Sequence, residues 1–201
     1  MPEAANITLD DAVLVERCRQ GDSAATEGLI LKYQNRIYNT ILRMCANHDD
    51  AAELTQETFV RVIENIGEFE GRSSFYTWCF RIAVNLTLNH CQRSARLMHS
   101  SLDAELDEHS QQARGMLKEF LSDSGSPDPA VVAANKELYG LVMKALTKLD
   151  DAQRAVVVLR DIEGMNYARI AGVLNIELGT VKSRLSRARS NLREIFQRYL
   201  R

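Results

Sequence analysis

With 201 residues and 45% apolar side chains, the chain can bury one medium core or two small ones, and only three prolines and ten glycines exclude a long disordered protein. A formal charge of −2 excludes a uniformly cationic wrapper for nucleic acid, so any polyanion must be met by a local basic surface. No apolar run reaches the length of a membrane span, and Met-Pro-Glu-Ala-Ala-Asn has no basic-then-apolar leader pattern; a cytoplasmic protein without membrane insertion is expected.

Leu9 to Arg19 reads as a first amphipathic helix with Leu9, Val13, Leu14 and Cys18 on one side, ended by Gly21. Asp22 or Ser23 caps a long second helix, Ala24 to Ala46, whose stripe is Leu29, Ile30, Tyr33, Ile37, Ile41, Leu42 and Cys45. Asn47-His-Asp-Asp breaks and caps again. A third helix, Ala51 to Ile66, then carries Leu54, Thr58, Phe59, Val62, Ile63 and Ile66 on one arc. The other arc holds Glu53, Gln56, Glu57, Val60, Arg61 and Glu64, a composition suited to solvent or to a charged partner.

Gly67 to Ser74 is a loop with Gly67, Gly71 and two capping serines, Ser73 and Ser74. A fourth helix follows, apolar at spacings of three and four through Phe75, Trp78, Ile82 and Leu86, then Leu88 and Cys91. Phe75, Trp78 and Ile82 read as core. The loop and the polar positions Arg72, Arg81, Asn85 and Asn89 carry the functional reading, because arginines neutralise phosphates and amides read base edges. Arg93 and Arg96 serve equally well as phosphate contacts or as cations at a helix C-terminus.

Phe75-Tyr-Thr-Trp78 followed by Arg81-Ile-Ala-Val-Asn85 resembles the end of region 2 in sigma-70 family factors of the small extracytoplasmic-function (ECF) group. Cys79 departs from that family's usual leucine, and Asn89 from an aspartate found in many members. The resemblance implies minus-ten promoter recognition and melting by Phe69, Arg72, Ser73, Ser74, Arg81, Asn85 and Asn89, with a base captured in the loop from Glu68 to Ser74. Asp50 to Phe59 is similar to the family segment that docks on the clamp helices of the polymerase largest subunit, which makes Glu53, Gln56, Glu57 and Arg61 candidate polymerase contacts.

From Leu97 the apolar pattern lapses. Met98 to Pro129 reads as an acidic, flexible tether, with a short helical turn at Leu117 to Leu121. Its acids contrast with Lys182 to Arg201, where seven basic residues face Glu194 alone. In sigma factors the equivalent segment runs near the polymerase active-site and RNA-exit path.

Pro129 suits a first helical position, and Val132, Leu138, Leu141, Val142, Ala145, Leu146 and Leu149 continue an amphipathic helix. Asp150 or Asp151 caps a helix from Ala152 to Ile162 with Val156, Val157 and Leu159, and Glu163-Gly164 stops it. A short helix burying Ile170, Ala171 and Leu174, a turn at Asn175 to Glu177 and a helix from Leu178 form a helix-turn-helix pattern. Val181, Leu185, Ala188 and Leu192 face its core. Gly179, Lys182, Ser183, Ser186, Arg187 and Ser190 project outward, small, hydroxylated and basic, as a major groove requires. Leu149 to Arg189 resembles sigma region 4, which implies minus-thirty-five reading by Thr180, Lys182, Ser183, Ser186 and Arg187.

The expected fold is all-α: a region 2 four-helix bundle (1–97), a linker (98–129) and a region 4 helix-turn-helix domain (130–201). The missing region 3 points to the two-domain ECF type. Implied partners are core RNA polymerase, through its clamp helices and beta flap, promoter DNA and an anti-sigma protein. No cofactor or metal is expected. Cys18, Cys45, Cys79 and Cys91 form no ligand motif and read as small apolar groups in a reducing compartment. No phosphate loop or nucleophile–base pair suggests an enzyme. A stand-alone helix-turn-helix regulator and a helical adaptor are the other readings.

Overall fold

The computed structural model describes residues 3–100 and 129–199, with side chains from 11 to 94 and from 138 to 199. Every regular element among them is helical. The acidic tether and the turn at Leu117 to Leu121 lie outside the described residues, but Met98, His99 and Ser100, assigned from sequence to that tether, continue the fourth helix.

The first domain packs α1 (Glu3–Arg19), α2 (Ser23–Cys45), α3 (His48–Glu64) and α4 (Phe75–Ser100) into a bundle, with one 3₁₀ turn (Ile66–Glu68) ahead of the loop. Its caps follow residue chemistry. Asp22 Oδ1 accepts from the N–H groups of Ala24 and Ala25 at 2.9 and 3.2 Å, and Asn47 Oδ1 does the same for Asp49 and Asp50 at 2.8 and 3.2 Å. Gly21, at φ 82°, turns the chain out of α1.

The apolar pattern of two helices is displaced from the sequence reading. In α1, Val15 is buried and Val13 is exposed, so the stripe runs through Asp11, Val15 and Cys18. Asp11 is buried with partners: Lys32 Nζ donates to it at 2.7 Å, and so does the Tyr33 hydroxyl. In α4 the fully buried face is Phe75, Cys79, Phe80, Ala83, Val84 and Thr87, whereas Trp78, Ile82 and Leu86 flank it half-buried. Adjacent apolar residues such as Phe80 and Ile82 compete for the core, and only the position of α2 and α3 decides between them.

The second domain comprises α5 (Pro129–Thr147), α6 (Asp151–Val157, continued to Ile162 by a wider π turn), α7 (Tyr167–Leu174) and α8 (Leu178–Tyr199). Asp150 caps α6 through the Gln153 N–H at 2.8 Å. Asn166 caps α7, and Asn175 leaves it in the left-handed region at φ 51°, a conformation asparagine tolerates. Leu146, Leu149, Val156 to Leu159, Ile170, Val181, Leu185 and Ala188 fill the core. Leu138, expected inside, is 60% exposed. The two domains touch: α6 packs on α2 and α4, α7 packs on α4, and their cores merge into one cluster.

Candidate nucleic-acid interface

Two surfaces of this fold present polar groups on a rigid base. The first is the loop of residues 69–74 with the outer face of α4. Gly71 takes φ 72°, which a side chain would strain, and Ser74 Oγ accepts from the Thr77 N–H at 3.2 Å to start the helix. From α1, Arg19 donates through Nη2 to the carbonyl of Phe69 and through Nε to that of Ile66 at 3.3 Å. Arg19 thus anchors the loop entry, a role that depends on a contact about fifty residues away and leaves no local signal in sequence.

Within the loop, Arg72, Ser73 and Ser74 are exposed, and Arg72 pairs with Glu70. Phe69, a candidate base contact by sequence, is instead buried: its ring meets Phe75 edge-on at 5.9 Å and lies 5.3 Å from Trp78. Burying roughly 150–250 Å² of aromatic surface outweighs leaving the ring free for a base, so Phe69 supports the loop from beneath. Arg81, Asn85 and Asn89 recur every four residues along α4, all exposed on one ladder. Cys79 lies in the core, away from that ladder, so its departure from the family residue leaves this face unchanged. The side chain of Arg96 lies outside the described residues.

The second surface is the helix-turn-helix. Burial of Ile170 and Val173 in α7 and of Val181, Leu185 and Ala188 in α8 fixes which side of α8 faces out. Lys182, Ser183, Ser186 and Arg187 are all exposed there, and Thr180 is half-buried beside them. The Ser183 hydroxyl donates to the Thr180 carbonyl at 3.1 Å, leaving its oxygen free to accept. A groove beside this face is lined by Tyr167, Lys182, Ser186, Arg189, Ser190 and Arg193. Arg189 is tethered, its Nε donating to Asp161 at 3.2 Å, and that hydrogen bond holds its pKa above the ordinary arginine range. Arg189 therefore braces α8 on α6, while Lys182 and Arg187 point away from the domain.

A third surface is acidic and amphipathic. Glu53, Gln56 and Arg61 are exposed on α3, with Glu57 half-buried and bridged to Arg61 at 2.7 Å. Val60 sits among them, 52% exposed, giving this charged arc an apolar centre. Among the described residues no group of His, Cys, Asp and Glu is arranged to hold a metal, and no helix is long and apolar enough to cross a membrane.

Comparison with known proteins agrees with this division. Residues 29–97 match the Sigma-70 region 2 family model and residues 139–192 the Sigma-70, region 4 model. The chain is 35% identical over 192 residues to the RNA polymerase sigma-H factor of Pseudomonas aeruginosa, covering 95% of this chain and 96% of that protein. It is 32% identical over 181 residues to the ECF RNA polymerase sigma-E factor of Escherichia coli K12, covering 90% and 91%. Among solved structures, the sigma factor RpoE of Bartonella quintana, in complex with the anti-sigma factor NepR, is 25% identical with a TM-score of 0.61 over 85% of this chain and 96% of that one. CnrH, solved with the cytosolic domain of CnrY, shares the fold at 23% identity, with a TM-score of 0.59 over 94% and 97%. Matched along nearly its whole length in both helical domains, this chain belongs to the sigma-70 family of RNA polymerase sigma factors, in its ECF group.

Proposed function

We propose that this ECF sigma factor brings core RNA polymerase to promoters by reading the minus-ten element with its first domain and the minus-thirty-five element with its second. The observation that carries this reading is the pair of exposed polar faces, one on each domain of a chain that matches region 2 and region 4. Arg72, Ser73, Ser74, Arg81, Asn85 and Asn89 would follow the melted minus-ten strand, with Phe69 holding the loop from inside. Extruding a base costs a few kcal/mol of stacking, which the polar loop offsets by hydrogen bonding to its edge.

Lys182, Ser183, Ser186 and Arg187 would enter the upstream major groove, with Thr180 at the start of the same face. Glu53, Gln56, Glu57 and Arg61 would hold the clamp helices of the largest subunit around Val60, and the second domain would meet the beta flap. An anti-sigma protein is a fitting regulator, since the similar RpoE is solved bound to one. The protein acts in the cytoplasm and contributes binding and melting, with the chemistry of synthesis left to the polymerase.

Purified chain added to core polymerase should produce open complexes on matched promoters, detected by permanganate reactivity of unpaired thymines around the minus-ten element. Identical reactivity with and without the chain on a broad promoter library would refute this function. Tight, polymerase-independent promoter binding with no effect on initiation would instead identify a stand-alone regulator.

A further inference from the structure

Arg19 reaches the loop of residues 69–74 from outside the stretch that the region 2 model covers, which begins at residue 29. It closes α1, and its guanidinium forks across the 3₁₀ turn. Nε donates to the Ile66 carbonyl at 3.3 Å and Nη2 to the Phe69 carbonyl. The third nitrogen, Nη1, donates to Glu16 Oε2 at 3.3 Å, one turn back on α1. Every nitrogen of the fork is engaged, and a guanidinium keeps its charge and its planar geometry at any working pH.

The two carbonyls bracket the entry to the loop. Ile66 opens the 3₁₀ turn and also accepts from the Phe69 N–H at 3.3 Å; Phe69 leaves the turn in extended backbone, at φ −72° and ψ 101°. At the far end, Ser74 Oγ caps α4 by accepting from the Thr77 N–H at 3.2 Å. Between these ends Glu70, Gly71, Arg72 and Ser73 are exposed. With the exit fixed by α4, the direction in which those four residues project follows from how Phe69 enters, and the Arg19 fork fixes that entry.

The anchor stands on a rigid base. Buried Asp11 holds α1 to the bundle, accepting from Lys32 Nζ at 2.7 Å and from the Tyr33 hydroxyl. The Tyr33 ring lies 5.7 Å from that of Phe75, which in turn receives Phe69 edge-on. An aromatic stack therefore runs from α1 to the underside of the loop, while Arg19, about two turns further along α1, ties down the loop's backbone.

We propose that Arg19 is a positioning residue for minus-ten specificity: without touching DNA, it sets the pose in which the loop takes an extruded base. The inference rests on the minus-ten reading above. A loop discriminates among bases only where its donors and acceptors meet the base edge, and a misplacement of ~1 Å can cost on the order of a hundredfold in a positioned step. A lysine in place of Arg19 would keep the charge and lose the planar fork.

The chain's single tryptophan reports on the loop directly, because the Trp78 ring lies 5.3 Å from that of Phe69. In the free chain, Arg19→Ala and Arg19→Lys should both shift Trp78 emission to the red and raise its quenching by acrylamide, with helical circular dichroism unchanged. Unchanged emission and quenching in Arg19→Ala would overturn the anchor. Initiation rates with core polymerase, on promoters substituted one base at a time, test the specificity. Both variants should lose on the order of tenfold in discrimination at the minus-ten position taken by the loop, and none across the minus-thirty-five element. Wild-type discrimination in Arg19→Lys would show that charge alone matters there and would overturn the fork. An equal loss across both elements would also overturn the proposal, since a general weakening needs no positioned loop. If Trp78 responds in the variants but the wild type itself directs no initiation, the anchor stands and the specificity falls with the promoter reading.

Discussion

Arg187 and the two half-buried thiols show how much can be predicted from single side chains. Arg187 projects from α8 away from its own domain, so Arg187→Ala should weaken binding to an upstream duplex and flatten the salt dependence by about one phosphate contact. Titrations at several salt concentrations measure this, and an unchanged slope and affinity would exclude a backbone contact. Burial pushes the Cys45 thiol up to about 11 and the Cys91 thiol up to about 12, against roughly 8.5 for a free cysteine. The folded state therefore favours the protonated thiols. Their contribution to stability is full below the unfolded pKa and is lost as pH rises through 11 to 12. Iodoacetamide labelling of Cys45 and Cys91 at pH 8 should be at least roughly a hundredfold slower in the folded protein than in urea. Equal rates would show the thiols are not held in the burial described.

At the scale of elements, caps and stops follow local chemistry, whereas helical faces depend on neighbours. Asp22, Asn47, Asp150 and Asn166 each cap a helix that their residue type predicts, because a short acceptor side chain reaches the free N–H groups of its own next turn. The α4 stripe shows the opposite case. Phe75, Trp78, Ile82 and Leu86 satisfy helical spacing, yet Phe80 and Val84 occupy the interior. Phe80→Ala should accordingly cost about 3–5 kcal/mol in urea unfolding, and Ile82→Ala distinctly less. Equal losses would mean that α4 is rotated from the orientation described. The same logic moved Phe69 from the surface to the underside of its loop, where Phe75 and Trp78 receive it.

For the whole molecule, the exposed arc of α3 is the surface on which recruitment would turn. Glu57→Lys exchanges a carboxylate bridged to Arg61 for a cation facing it, with both side chains at the surface and little cost to the fold. Co-purification with core polymerase should fall at least tenfold while circular dichroism and the unfolding midpoint hold. Retained co-purification would remove Glu57 from the interface. The seam between the two domains adds a second level. Across it, Glu163 accepts from the Thr40 hydroxyl, Arg154 donates to the Met44 carbonyl and Arg169 donates to the Thr77 hydroxyl.

From sequence alone come the all-helical class, the two-domain division, the helix-turn-helix and the outward basic face of α8, because caps, turns and periodicity act over a few residues. The loop ahead of α4 is legible for the same reason, although Gly67 and Glu68, expected in it, belong to the 3₁₀ turn. Arg19 under the loop, Phe80 in the core and Glu163 in the seam are decided by tertiary structure. Arg19 and Glu163 owe their roles to partners from about fifty to more than a hundred residues away, Phe80 to the helices packed over α4, and neither spacing nor composition records which distant surface a folded chain will bring against them.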